Sequence, residues 1–578
     1  MSMVNIKINN MSYQVPEEAT VLEAAREAGI DIPTLCYLKG LNEIGACRMC
    51  MVEVKGARSL VAACVYPVNE GMEVFTNSPK VQASRKTTLE LILSVHDRKC
   101  LSCPRNQNCE LQKLCNEMGI EDENKFEGVM PPAIEDNTTT YLRRNNAKCI
   151  LCRRCVAACQ QQVVSVIGAN NRGFDTEIGC AFEAGLNDVP CVACGQCIVS
   201  CPTGALTERS YIQQTFDALH DPQKHVIVQT APAVRSALGE EFGMPIGTNV
   251  VGKMVASLRR LGFDKVFDTS FGADMTIMEE ATEFLDRVKN GGTLPMITSC
   301  SPGWIKFCEH YYPDLTENLS SCKSPQQMTG ALAKTWYAKR ENIDPENIVS
   351  VSIMPCTAKK FEIGREDQNS AGVPDVDIVL TTRELADMIK MAQLNFDRLP
   401  DEEFDQAMGV STGAAVIFGA TGGVMEAALR TAADMLEGKD LEALDYKEVR
   451  GVAAFKEAVY DVAGMKVKVA VVSGLTNANA LLEKVRSGEA DYHFIEVMCC
   501  PGGCVNGGGQ PIQPAKVKGF EDVKGLRAKA LYDNDVAKSL RKSHQSPIVK
   551  QCYEEFLGEP GGHMAHELLH TTYVKRYK

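Results

Sequence analysis

Twenty-five cysteines in 578 residues, unevenly placed, constrain this chain more than any other feature. Seventeen lie between Cys36 and Cys201, and none lies between Cys201 and Cys300. The rest are mostly single, apart from the group Cys499–Cys500–Cys504. Disulfide scaffolds are short and secreted. This chain is long, and its start, MSMVNIKINNMSYQVPEEA, has neither a basic n-region nor an apolar h-region, so no secretory signal is expected. Cysteines in such a chain point to metal before disulfides. The formal net charge of −13 argues against a nucleic-acid binder. No apolar run approaches the ~18–20 residues of a membrane span. The expectation is a cytoplasmic protein of several domains.

Residues 1–80 open with a hairpin-like pattern and a helix, TVLEAAREAG, with Thr20 as N-cap and Gly29 as stop. Cys36, Cys47, Cys50 and Cys64 follow as C-x10-C-x2-C-x13-C. Four thiolates among small residues suit a [2Fe–2S] centre. A zinc site would usually pair two CxxC knuckles, and here there is one. Residues 81–127 carry His96, Cys100, Cys103 and Cys109 as H-x3-C-x2-C-x5-C, with His96 near a helix end. That spacing makes His96 a candidate ligand, with a Cys3His zinc site as the alternative. The two segments resemble the plant-type ferredoxin-like domain and the His-ligated [4Fe–4S] module of complex-I-type and hydrogenase-type iron–sulfur subunits. Residues 128–210 hold two runs, Cys149-x2-Cys152-x2-Cys155-x3-Cys159 and Cys191-x2-Cys194-x2-Cys197-x3-Cys201-Pro202. In bacterial two-cluster ferredoxins the fourth cysteine of each run serves the other cluster. One cluster then takes Cys149, Cys152, Cys155 and Cys201, and the other takes Cys159, Cys191, Cys194 and Cys197. Such a string passes single electrons, so its purpose lies elsewhere in the chain.

Residues 211–578 change character. Apolar runs (HVIVQTAP, KVFDTS, LPMITS, IVSVSIMP, VDIVLTT, KVAVVSG and HFIEVM) alternate with helical stretches, which suggests parallel sheets covered by helices. Three cysteine loops follow strands: Thr298–Trp304, Met354–Glu362 and Glu496–Pro511. Ligands collect at such strand ends. The glycines of the third loop allow close backbone approach.

These loops resemble the signature motifs of [FeFe]-hydrogenases, whose usual forms run TSCCPGW, MPCxxKxxE and ExMxCxxGCxxGGGxP. The likeness covers nearly the whole chain and is to the clostridial type with four accessory clusters. It implies a multidomain α/β fold: an N-terminal β-grasp ferredoxin-like domain (1–80), a small His/Cys cluster domain (81–127), a two-cluster ferredoxin-like domain (128–210) and a C-terminal α/β domain (211–578). The last is expected to be two abutting parallel sheets around the H-cluster, a [4Fe–4S] cube joined to a two-iron unit with CO, CN⁻ and azadithiolate ligands. One [2Fe–2S] and three accessory [4Fe–4S] clusters are implied beside it. Cys356, Cys500 and Cys504 match cube ligands, with Cys504 the bridging one. Lys359 matches the lysine that bonds a cyanide. Pro232, Gln326, Met354 and Met498 match pocket residues. Cys300, Glu280, Ser320 and Glu283 match the proton relay. The first loop departs from the pattern, because Cys300-Ser301 stands where two cysteines are usual. Either Cys300 shifts to ligate the cube, or Ser301 binds through oxygen, or three cysteines suffice, or the register is off by one. A thiolate suits iron better than a hydroxyl, so Cys300 is the preferred metal ligand.

The implied activity is reversible H₂ oxidation and proton reduction, with electrons passing to or from ferredoxin or a similar carrier. The alternatives are the hydrogen-handling subunit of an NAD(P)-coupled, electron-bifurcating complex with flavin-containing partners, and a hydrogen sensor with low turnover. The two-iron unit requires maturation proteins. GATGGV at 419–424 lacks the G-x-G-x-x-G order of a dinucleotide loop. Cys180, Cys308, Cys322, Cys499 and Cys552 read as small buried hydrophobes. The histidines of HMAHELLH read as part of an amphipathic terminal helix packing Leu568 and Leu569.

Overall fold

The computed structural model describes residues 2–130, 133–442, 445–462 and 464–576. In the first module, β1 (Met3–Ile8) buries Val4, Ile6 and Ile8 and exposes the residues between them, as period-two patterning requires. The chain turns at Asn9 and Asn10, both at positive φ, into β2 (Met11–Pro16). Asparagine tolerates that region better than most side chains. α1 (Val21–Glu27) starts in a capping box, with Thr20 Oγ1 accepting from Glu23 N and the Glu23 carboxylate accepting from Thr20 N. β3 (Met51–Val54), β4 (Val61–Ala62) and β5 (Glu73–Phe75) complete a mixed sheet in the order β2-β1-β5-β3-β4.

α2 (Pro79–Leu93) and α3 (Glu110–Glu117) flank the next cysteine group. Their Leu89, Leu93, Leu111 and Leu114 pack with Leu35 and Met49, which welds the second module to the first. The third module pairs β6 (Glu135–Asp136), β7 (Leu142–Asn145) and β10 (Leu206–Glu208) in the order β10-β7-β6. Between them lie α4 (Arg154–Gln161), the hairpin β8 (Gly168–Asn170) with β9 (Glu177–Gly179), and α5 (Gln196–Ser200).

In the C-terminal half every one of the seven apolar runs contains a strand. β11 (His225–Thr230), β12 (Lys265–Asp268), β14 (Ile348–Met354) and β15 (Ile378–Thr381) form an all-parallel sheet in the order β12-β11-β14-β15. β13 (Met296–Ile297), β18 (Phe494–Met498) and β17 (Met465–Ser473) run parallel in a second sheet. The expectation of two parallel sheets is corrected here. β16 (Phe455–Val462) joins the edge of the second sheet antiparallel to β17, so that sheet is mixed. A connection as short as the one at Gly464 (φ +80°) can only return antiparallel. FKEAVYDV escapes an apolar-run search because Phe455, Glu457, Val459 and Asp461 face outward while Lys456 is buried. A half-exposed strand alternates instead of running apolar.

Candidate metal centre and proton path

The four cysteines of the first module gather in two pairs. Cys36 and Cys47 each donate a backbone N–H to the other's sulfur at 3.4 Å, and the Cys50 and Cys64 sulfurs are 3.3 Å apart. The Cys36 thiol bonds to Cys47 and pulls its pKa down to about 6. His96 follows α2, as the sequence suggested. Burial pushes its pKa down to about 4, and Nδ1 has no hydrogen-bond partner. A buried neutral imidazole with an uncommitted nitrogen suits ligation. Cys103 influences both Cys100 and Cys109, and Cys115 lies close to that group.

In the third module the structure brings together the crossed sets. Cys201 lies near enough to Cys149, Cys152 and Cys155 for its charge to raise all three thiols, after burial. All four line one small cavity. Cys159, Cys191 and Cys194 act on Cys197 in the same way. The modules meet at the first of these sets. Asn42 Nδ2 bonds the carbonyls of Cys36 (2.8 Å) and Cys152 (3.0 Å). Arg105 Nη1 reaches the Cys201 carbonyl at 3.3 Å. Arg154 bonds Glu110 and the Tyr37 carbonyl, tying α4 to both earlier modules.

In the C-terminal half, the carboxyl ends of strands from both sheets surround one cavity. β11 delivers Pro232, β14 delivers Met354 and Cys356, β13 leads to Cys300 and Ser301, and β18 leads to Met498, Cys500 and Cys504. Lys359 and Gln326 also line it. The cavity holds about 80 Å³, more than the ~10–15 Å³ one water needs. Its loops pack backbone to backbone. A Cβ at Gly507 would lie 2.1 Å from Pro355 O, and one at Gly503 (φ +95°) 2.7 Å from Thr421 N. Cys500 and Cys504 sit near enough to Cys356 to raise its pKa beyond the effect of burial. Three mutually close thiols around a void, with a lysine beside them, fit a sulfur-ligated iron group.

Lys359 Nζ bonds both oxygens of Glu362 (3.1 and 3.0 Å) and the Cys300 carbonyl at 3.3 Å. Glu362 also accepts from Ser324 Oγ and Gln326 Nε2. It therefore orients both Lys359 and Gln326, a role that the motif spacing alone did not disclose. Glu496 was likewise visible only as a motif letter. It accepts from Gly422 N (2.6 Å) and Met425 N (2.8 Å), at the start of the helix Gly423–Glu437. The Gly422 amide of the GATGGV loop is thus spent on a carboxylate, and those of Ala420, Thr421 and Gly423 on backbone carbonyls. A Cβ at Gly422 or Gly423 would meet a carbonyl oxygen within 2 Å, so these glycines serve packing.

Glu280, Glu283 and Arg287 share one face of the helix Thr269–Asn290. Burial lifts Glu280 to about 8, with further help from Glu283. Ser320 lies near it, yet neither Glu280 oxygen has a hydrogen-bond partner within 3.5 Å. Glu283 accepts from Ser320 Oγ at 2.9 Å and from Ser321 N, and bonds Arg287 Nη2 at 2.6 Å. Burial pushes the Cys300 thiol well up, and of the charges that add to it Glu280 has the largest effect. The line Cys300, Glu280, Ser320, Glu283 therefore runs from the cavity to the partly exposed Arg287. Cys180, Cys308, Cys322, Cys499 and Cys552 are buried, and Leu568 and Leu569 are the buried face of the helix His563–Leu569.

The last accessory set abuts the cavity. Cys194 is one of its lining residues. Thr357 Oγ1 donates to Ala193 O at 2.7 Å, and Gln196 Nε2 donates to Asn506 O at 2.9 Å. A Cβ at Gly508 would lie 2.4 Å from Cys194 O.

Comparison with known proteins agrees with this geometry. Residues 224–508 match the C-terminal domain of the iron-only hydrogenase large subunit, and 521–576 match the iron hydrogenase small subunit. Residues 1–79 match a 2Fe-2S iron–sulfur cluster binding domain, 85–124 the iron–sulfur binding region of NADH-ubiquinone oxidoreductase-G, and 148–205 a 4Fe-4S dicluster domain. The chain is 49% identical to the NADP-reducing hydrogenase subunit HndD of Solidesulfovibrio fructosivorans, over all of both chains. It is 45% identical to iron hydrogenase 1 of Clostridium pasteurianum, over 99% of this chain and 100% of that one. A solved [FeFe]-hydrogenase HydA1 from Chlamydomonas reinhardtii superposes with a TM-score of 0.56 at 42% identity, covering 64% of this chain and 99% of that one. The chain therefore belongs to the iron-only hydrogenase family and is an iron hydrogenase, an oxidoreductase acting on H₂ with iron–sulfur electron relay.

Proposed function

We propose that the cavity between the two sheets holds the H-cluster and that the N-terminal modules feed it through a branched chain of clusters. Convergence of Cys356, Cys500, Cys504 and Lys359 on one buried void carries this reading. When bound, the group supplies low-valent iron that makes and splits H₂. Cys356, Cys500 and Cys504 would hold its cube. Lys359, steadied by Glu362, offers an ammonium donor to the cavity, while Pro232, Met354 and Met498 exclude water. Cys300 passes the proton to or from Glu280, and Ser320 with Glu283 carries it to the surface at Arg287. A carboxyl with pKa about 8 exchanges protons in either direction near neutral pH.

The electron path has two entries. The module of residues 1–80, read as β-grasp with a [2Fe–2S] centre on Cys36, Cys47, Cys50 and Cys64, meets the Cys149 set through Asn42. The module of residues 81–127, with His96, Cys100, Cys103 and Cys109, meets the same set through Arg105. The Cys159 set then abuts the cavity. Three accessory [4Fe–4S] clusters and one [2Fe–2S] follow from these four sets of ligands. Two entries suit two electron partners, a ferredoxin-like carrier and a flavin- or NAD(P)-binding subunit. The full-length match to a subunit of an NADP-reducing hydrogenase favours the second. None of the described helices is long and apolar enough to cross a membrane, and a cytoplasmic location fits that.

Anaerobic H₂ evolution from reduced methyl viologen tests the reading. Protein co-expressed with the maturation machinery should turn over rapidly, and protein made without it should not. Absence of turnover despite a full iron load would overturn the proposal in favour of a sensor or electron conduit. Co-purification with flavin-containing subunits would decide between the two partner readings.

A further inference from the structure

The third loop carries a cysteine that the family pattern does not require, and the first loop lacks one that it does. ExMxCxxGC leaves open the position filled here by Cys499, while TSCCPGW asks for cysteine where Ser301 stands. The fold makes these two residues neighbours. The Cys499 backbone N–H donates to Ser301 Oγ at 3.2 Å. Cys499 is 4% exposed and lines the same cavity as Cys356, Cys500 and Cys504. Its thiol is within hydrogen-bond reach of the thiols of Cys500 and Cys194. Gly303 leaves it room, since a Cβ there would lie 2.8 Å from Cys499 Sγ.

A [4Fe–4S] cube is generally held by four thiolates, Cys356, Cys500 and Cys504 account for three in this cavity, and the other candidates for the fourth are spoken for. Cys194 already belongs to a complete set of four with Cys159, Cys191 and Cys197, where a fifth thiol is superfluous. The Ser301 hydroxyl is engaged by the Cys499 amide, and an alcohol is a poor ligand for iron beside a thiolate. Cys300 packs in the apolar cluster with Phe418 and Met498 and is faced by Glu280, at the head of the proton path. Cys499 and Cys500 lie just past the end of β18. There, strand alternation no longer forces consecutive side chains to opposite faces, and both line the cavity.

We propose that Cys499 supplies the fourth thiolate of the cube in the place vacated at Ser301, leaving Cys300 to the proton path. The inference rests on the hydrogenase reading of the cavity. Ligation requires only that the Cys499 thiol release its proton to solvent as sulfur binds iron, with no change of oxidation state.

The test uses the full-length chain expressed anaerobically without maturation proteins, so that the cube is present without the two-iron unit. Iron content and EPR spectra are the readouts. Cys356→Ala first identifies the cube, through a loss of about four irons per chain, the content of one such cluster, or a change of spectrum. If Cys356→Ala changes neither, the cavity reading itself fails. With the cube's signal identified, Cys499→Ala should lose iron or give a three-iron signal on oxidation. Ser301→Ala should keep the full iron load, and Cys499→Ala/Ser301→Cys should recover it. Full iron and an unchanged cube spectrum in Cys499→Ala would overturn the proposal. So would iron loss in Ser301→Ala, or a loss in Cys499→Ala that Ser301→Cys does not repair, which would mark a packing defect.

Discussion

Cys149, Cys152 and Cys155 lie on one short stretch of chain entering α4, whereas Cys356, Cys500 and Cys504 come from two different sheets and meet only where those sheets abut. The first arrangement is local and needs one partner, Cys201, from the pseudo-equivalent run. The second is assembled by the whole C-terminal half. The protein hydrogen bonds around the two regions differ as well. Around the accessory sets, most named contacts tie one module to the next, as Asn42, Arg105 and Arg154 do. Around the cavity they aim side chains, as Glu362 aims Lys359 and Glu496 holds the helix Gly423–Glu437. On the proposed reading, the N-terminal half is a series of locally built electron carriers, and the C-terminal half a site in which each group has one position.

The largest test of that contrast pairs Cys504→Ser with Cys47→Ser. The first should abolish viologen-driven H₂ evolution with the accessory-cluster signals intact. The second should remove only the [2Fe–2S] signal and leave viologen-driven turnover in place. Equal loss in both would break the comparison. Next comes Glu280→Gln, which should slow turnover by roughly 10²–10⁴-fold, the usual scale for a lost proton-transfer group, with iron content unchanged. Its pH dependence has a definite sign. The folded pKa of about 8 lies above the ordinary 4.5. The donor form is present below pH 8, and H₂ evolution should fall as pH rises through that value. The same shift makes Glu280 a cost to stability that grows between pH 4.5 and 8, because the native state holds the proton longer than the unfolded chain. Glu280→Gln should erase both inflections, which rate and urea-unfolding profiles across pH would check.

A smaller effect is expected at Glu362→Gln. It leaves the cysteines untouched but weakens the hold on Lys359 and Gln326, and groups that orient ligands typically cost ~10–100-fold. Turnover against unchanged EPR of the accessory clusters would show it. The smallest effect on activity belongs to Arg154→Ala. The Arg154 side chain is 2% exposed and paired with Glu110 at 2.8 Å. Breaking a fully buried pair costs about 3–5 kcal/mol, and the partly exposed Glu110 puts this one below that range. Denaturant unfolding should show the N-terminal modules destabilised, while viologen-driven H₂ evolution per intact cavity is retained. Parallel loss of activity would mean that the wire and the site fold as one cooperative unit.

The cysteine sets of residues 36–201, the capping box at Thr20 and the three loops at strand ends were legible in the sequence. Each is encoded at short range, by ligand spacing, by a side chain three residues from its cap, or by a strand's own apolar run. Other features depended on residues distant in the chain. β16 hid because its exposed face breaks the apolar pattern, and only pairing with β17 defines it. Glu362 and Glu496 were letters in motifs until the fold placed Lys359 and Gly422 against them. Ser301 and Cys499 show the division most plainly. The sequence alone determined that the first loop lacks a cysteine and that the third has one extra. That the two positions touch across the junction of β13 and β18 was decided by tertiary structure, because parallel pairing brings together strand ends that no local spacing relates.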